Sequence, residues 1–134
     1  MSMDILIEIE ADYLHILVTG IYDIDRALNL LEKVLEASIQ YKQPRILIDY
    51  RQLQRTSPLM TETYIYAASV ARLVQKYTAI AGQLPRIAYL GPETILKDGN
   101  YGVAVAAEYG FSKAKRTTTI DEALEWLGVR STKD

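Results

Sequence analysis

The residues best suited to chemistry lie in one stretch, ILIDYRQLQRTSPLM, at positions 46–60. An apolar run ends in Asp49, a polar loop carrying Arg51 and Arg55 follows, and Thr56-Ser57-Pro58 opens a helix. Two roles fit Ser57. Serine is a favoured N-cap and proline a favoured first helical residue, so a hydroxyl that accepts from the first-turn N–H groups is a sufficient structural account. The same geometry suits a phosphoacceptor, because a helix start presents free N–H groups and the positive end of the dipole to an anion. Arg51 and Arg55 would attract a phosphate or an acidic partner. An ordinary solvated loop accounts for both arginines as well.

Other candidates are sparser. His15 is the single histidine. Alternation places it opposite Leu14 and Ile16, on a partly open sheet face. Without a neighbouring acid or serine it is expected to be structural or superficial, not a general base. With this one histidine and no cysteine, no His-containing metal cluster is expected. Asp12, Asp23, Asp25 and Asp49 could gather at a sheet end around a hard cation, but caps and turns account for most of them. GPETILKDGNYG contains three glycines yet matches neither a Walker loop nor a dinucleotide fingerprint. It follows a buried strand, on the side where open α/β sheets place ligands, and Lys97 could meet an anion there. No nucleophile–base pair, paired carboxylates or cofactor loop stands at a recognisable spacing. An enzyme, a metal and a cofactor are therefore not expected.

The elements that position these residues follow from periodicity. ILIEI and YLHILVT alternate and lie close together, which predicts an antiparallel hairpin with Ile5, Ile7 and Ile9 on a well-buried face. Ile24, Ala27, Leu28, Leu31, Val34, Leu35 and Ser38 recur at helical spacing, capped by Asp23 or Asp25 and bounded by Pro44. RILIDY reads as a short buried parallel strand. A helix over 58–77 follows, with Tyr66, Val70, Leu73, Val74 and Tyr77 as its inner stripe. RIAYLG is a second buried strand, and PETILKDG a loop or short turn. A small-residue helix over 100–109 stops at Gly110. AKRTT is an edge strand whose basic residues discourage stray pairing. A capping box at Thr119–Glu122 opens the last helix, which stops at Gly128. Alternation after the hairpin calls for right-handed crossovers and a mostly parallel sheet.

This element order, with PRILIDYRQLQ and the closing TTTIDEALEWL, resembles the SpoIIAA-like family, or STAS domains, over nearly the whole chain. The resemblance implies an α/β fold: a right-handed β-α superhelix on a mixed, mostly parallel sheet of four to five strands with about four helices. The CRAL-TRIO lipid-binding domains have a related architecture. In anti-sigma-factor antagonists of the family, a strand-end aspartate and an aliphatic residue precede an Asp-Ser-Ser-Gly motif, one serine of which a partner kinase phosphorylates. Asp49 and Leu53 match the first two. Thr56-Ser57-Pro58 stands where the motif should be, without its acidic residue or its glycine.

Composition sets the remaining bounds. A chain of 134 residues fits one domain over 1–134, with a polar tail from about 129. A net charge of −2 argues against a general nucleic-acid binder. No targeting segment or membrane span is visible and no cysteine occurs, which suits a cytoplasmic protein. Ten tyrosines stand against one phenylalanine, and Tyr64, Tyr66, Tyr77, Tyr101 and Tyr109 fall on helices, where such rings serve either a core rim or an interface. VAVAA suits close packing on the sheet or against a second subunit in a homo-oligomer. The expected function is a non-enzymatic regulatory or interaction domain with a protein partner, a regulator or kinase. Its expected surface comprises Asp49, Arg51, Arg55, Glu62 and Tyr64, with Thr56 or Ser57 as the modified residue. The alternative is a carrier or sensor of a lipid or other apolar small molecule.

Overall fold

Alternating apolar residues form the hairpin that starts the sheet. The computed structural model describes residues 3–54, 60–92 and 99–129. Strands β1 (Asp4–Ile9) and β2 (Leu14–Gly20) pair antiparallel, from Ile9 opposite Leu14 to Asp4 opposite Thr19. Helix α1 (Ile24–Gln40) leads to β3 (Arg45–Leu53), α2 (Met60–Ala81) to β4 (Arg86–Leu90), and α3 (Gly99–Glu108) to β5 (Ala114–Thr117). Helix α4 (Ile120–Leu127) closes the order. The sheet runs β1-β2-β3-β4-β5, with every pair after the hairpin parallel.

Chirality distributes the helices. Each crossover steps to the next strand in the same direction, so connections of one hand place their helices on one face. Leu14, Ile16 and Val18 of β2, Ile46, Ile48 and Tyr50 of β3, and Ile87 of β4 pack there with Leu31, Val34, Val74, Val105 and Phe111. No crossover constrains α4, which covers the opposite face of β3, β4 and β5 with Ala123 and Leu127 on Leu47, Ala88 and Leu90. Leu6 and Glu8 stay exposed on the β1 part of that face.

The caps follow the sequence chemistry. Asp23 accepts from the Asp25 N–H at the start of α1. Thr119 Oγ1 accepts from the Glu122 N–H at 3.1 Å, and Glu122 Oε1 accepts from the Thr118 N–H at 3.1 Å, a capping box displaced by one residue. Gly110 closes α3 at φ 102°, where a side chain would be strained.

Four expectations need correction. The β1 face is only partly buried and Ile9 is exposed, because β1 is an edge strand at the margin of the helical layer. β3 continues through Arg51, Gln52 and Leu53, since Gly20 and Thr19 still offer it a partner strand. α2 extends four residues past Tyr77, to Ala81. Its fully buried stripe is Ala67, Ala68, Val70, Ala71 and Val74, with Tyr66, Leu73 and Tyr77 at the margin. Alanine lets that helix approach the sheet closely, and the larger rings then fit only at its edges. Arg55, Thr56, Ser57, Pro58, the 93–98 stretch with Lys97, and the 130–134 tail lie outside the described residues.

Phe111 follows the Gly110 turn, donates its N–H to Ala106 at 2.8 Å and is wholly buried. Phe111→Ala is expected to cost about 3–5 kcal/mol, measured as a lower urea midpoint with an unchanged slope.

Candidate functional site

A buried carboxylate must be paired or it loses its charge, and Asp49 is 1% exposed. Strand alternation sends Leu47 and Asp49 to the α4 face while Ile46, Ile48 and Tyr50 enter the main core. On β2 the same alternation sends His15 and Leu17 to the Asp49 face, Leu17 opposite Asp49 itself. The β2–β3 register then jumps between Leu17 and Thr19, leaving one extra residue on β3. Such a bulge releases a backbone donor and re-aims a side chain. The Arg51 N–H turns onto Asp49 Oδ1 at 3.0 Å, and the guanidinium follows with Nε to Oδ1 at 3.0 Å and Nη2 to Oδ2 at 2.8 Å. On the other side His15 Nε2 lies 2.8 Å from Oδ2. An ionised carboxylate only accepts, so Nε2 carries the proton. Nδ1 faces Glu8 Oε1 at 3.2 Å, the residue paired with His15 across the hairpin.

These contacts settle the charge states. Burial alone would raise the Asp49 pKa. The hydrogen bonds from His15 and Arg51 outweigh it and hold the carboxyl well below the usual range. The hydrogen bond to Asp49 raises the His15 pKa, against an opposing effect of burial. The result is an imidazole bridging β1 and β3 from β2, with a half-exposed arginine at its outer end.

Tyr50, the next residue, points to the opposite face and joins a cluster of phenols. Its ring stacks on Tyr89 at 6.0 Å between centroids, and Tyr66 of α2 meets Tyr89 edge-on at 6.2 Å. The Tyr66 and Tyr89 hydroxyls are 3.0 Å apart. Desolvation pushes the pKa values of all three well up, which keeps them neutral. A small cavity of about 20 Å³ beneath Tyr50 and Tyr66 is lined by Ile16, Val18, Leu31 and Ile48, with room for about one water.

The outer side of α2 carries a second aromatic group. Tyr64 and Tyr109 hydrogen-bond through their hydroxyls and meet edge-on at 6.1 Å, and the Arg72 guanidinium lies 5.9 Å from the Tyr109 ring centre. Tyr64, Tyr101 and Tyr109 are each more than a third exposed. Gly102 permits the close α2–α3 approach, since a Cβ there would lie 3.2 Å from Thr63 Cγ2.

Of the expected surface residues, Asp49 is internal and acts by holding Arg51, Glu62 is half-buried, and Arg51 and Tyr64 are exposed. Arg55, Thr56 and Ser57 cannot be placed among them. His15 was expected to lack nearby acids; the fold brings two. The hairpin register already implied Glu8, because a short turn pairing Ile9 with Leu14 sets Glu8 opposite His15. No sequence signal gives Asp49, whose approach depends on the parallel β2–β3 register.

No protein-family profile matches the sequence, and no curated protein does. Solved structures do match. An anti-sigma factor antagonist from Mycobacterium paratuberculosis superposes with a TM-score of 0.58 at 14% identity, over 95% of each chain. The unphosphorylated anti-sigma factor antagonist SpoIIAA gives 0.49 at 15% identity, over 91% of this chain and 96% of that one. An uncharacterised DUF3478 protein with a SpoIIAA-like fold, from Shewanella loihica, gives 0.46 at 24%, over 93% of each. The fold is SpoIIAA-like, as the resemblance implied. Among the described residues no helix is long and apolar enough to cross a membrane.

The network predicts a two-sided pH dependence. The Asp49 pKa is depressed, so its stabilisation is complete above the ordinary value of 3.8 and is lost as pH falls toward the folded value. The His15 pKa is raised, so its contribution is complete below 6.5 and is lost as pH rises through the folded value. Asp49→Asn should cost about 2–4 kcal/mol near neutral pH, less than for a fully buried pair because Arg51 is half exposed. It should also flatten the acid limb, and His15→Gln the alkaline one, in urea titrations across pH.

Proposed function

We propose that the chain is a non-enzymatic regulatory domain that works by binding another protein on the outer side of α2 and α3. The observation that carries this is the exposed surface made by Tyr64, Tyr101, Tyr109 and Arg72 along the outer side of α2 and α3. Tyrosine and arginine are the residue types most often found as binding anchors. The likeness in fold to an anti-sigma factor antagonist supports a partner of regulatory type.

Thr56 and Ser57 lie on the chain between β3 and α2, and we assign them as the modified residues. Phosphate on either adds about two negative charges to a segment whose sequence also carries Arg51 and Arg55, and so changes how a partner reads it. The partner of such a surface is a serine kinase or a regulator that recognises the unmodified form.

A photoreactive residue at position 64 is expected to capture a protein in the cells of origin, and one at position 125, on α4 across the sheet, is not. Tyr109→Ala should lower that capture at least about tenfold. Equal capture from both positions would remove the assignment of this surface. After incubation with a kinase captured in this way, mass spectrometry of the 56–72 fragment should find one phosphate, absent from the Ser57→Ala, Thr56→Ala double variant. An unmodified wild-type fragment would remove the switch and leave the binding surface standing.

A further inference from the structure

The β1–β2 hairpin places Glu8, Glu10 and His15 around one point. One ligand atom from each lies within 4.8 Å of the others, and His15 Nδ1 is already 3.2 Å from Glu8 Oε1. Ligand bonds of about 2.0–2.1 Å in a tetrahedral site set donors about 3.3 Å apart, so small side-chain rotations would close this triad. The backbone prepares it. Glu8 pairs with His15 across the strands, Glu10 follows two residues on, and the Glu10 N–H bonds to the Tyr13 carbonyl at 3.0 Å to hold the turn.

A second feature, built by another strand, points the same way. His15 Nε2–H is committed to Asp49, which is buried and clamped by Arg51. A metal-ligating imidazole characteristically donates its other N–H to a carboxylate, which fixes both tautomer and ring orientation. Here that carboxylate comes from β3, outside the hairpin, and leaves Nδ1 turned toward the two exposed glutamates. From this geometry we infer a site for one divalent cation of the zinc class, held by Glu8, Glu10 and His15 Nδ1 and supported through His15 by Asp49. One imidazole nitrogen with two carboxylates favours zinc and its first-row neighbours over magnesium and calcium, which prefer oxygen alone. Three protein ligands leave a fourth position to water. The bound cation would tie the edge strand to β2 and, through Asp49, to the β3 exit. The site stands independently of the proposed partner.

Zinc chloride titrated calorimetrically into the chelator-treated full chain, with excess magnesium present, is expected to show about one equivalent bound. Because His15 is the only histidine, its ring nitrogens are assignable without ambiguity. In the ¹⁵N spectrum Nδ1 should shift on zinc addition while Nε2 keeps its proton. Glu10→Gln changes an exposed side chain, and should weaken binding at least about tenfold with the circular dichroism spectrum unchanged. Asp49→Asn should weaken it about 10–100-fold. Absence of binding by the wild type, an unmoved Nδ1 resonance, or wild-type affinity in both Glu10→Gln and His15→Gln would overturn the site.

Discussion

The interior charge of Asp49 constrains the rest of this molecule. A carboxylate with almost no solvent contact is tolerable only when its lone pairs are filled, and four donors fill them: one from His15 and three from Arg51. None of these can be supplied without a particular backbone. His15 requires β2 beside β3 in parallel register, and the Arg51 N–H requires the bulge that frees it from the ladder. The ionic network therefore depends on the register and also specifies it, since sliding β2 by one residue would turn His15 into the main core and leave Asp49 without its imidazole.

The sheet's two faces differ for a reason of chirality. Three crossovers of one hand crowd α1, α2 and α3 onto a single face and produce the larger core. Helix α4 covers β3, β4 and β5 from the other side. Polar chemistry collects on the face it covers least, where β1 and β2 carry Glu8 and His15. On β3 the neighbours Asp49 and Tyr50 separate these two worlds by a single peptide, with ions behind and neutral phenols in front.

Much of the architecture was legible from residue pattern. The 2-residue alternation of LHILVT, the helical spacing in α1, the Thr119 and Gly128 signals, and the β-α alternation pointed to a mostly parallel sheet with an N-terminal hairpin, and the structure has it. The errors have local causes. The alternation in ILIEI is real, but alternation marks which side chains share a face and not whether a helix covers that face, so Ile9 is exposed. The polar residues after Asp49 look like a loop, yet strand length depends on partners, and Thr19 and Gly20 extend β3 to Leu53. The inner side of α2 includes Tyr66, Leu73 and Tyr77, as their spacing implied; they pack against the core but are only partly buried, with the alanines between them taking the closest contact.

The sequence by itself determined the kinds of elements, their order and their caps, because all of these rest on spacing within one segment or across one tight turn. Tertiary structure alone decided that His15 meets Asp49, that Arg51 folds back onto the same carboxylate, and that Tyr64 meets Tyr109. Those contacts join residues 34 and 45 positions apart, or depend on an extra residue in one strand of a parallel pair. The register of such a pair comes from the packing of both faces at once, and no local run of residues encodes that.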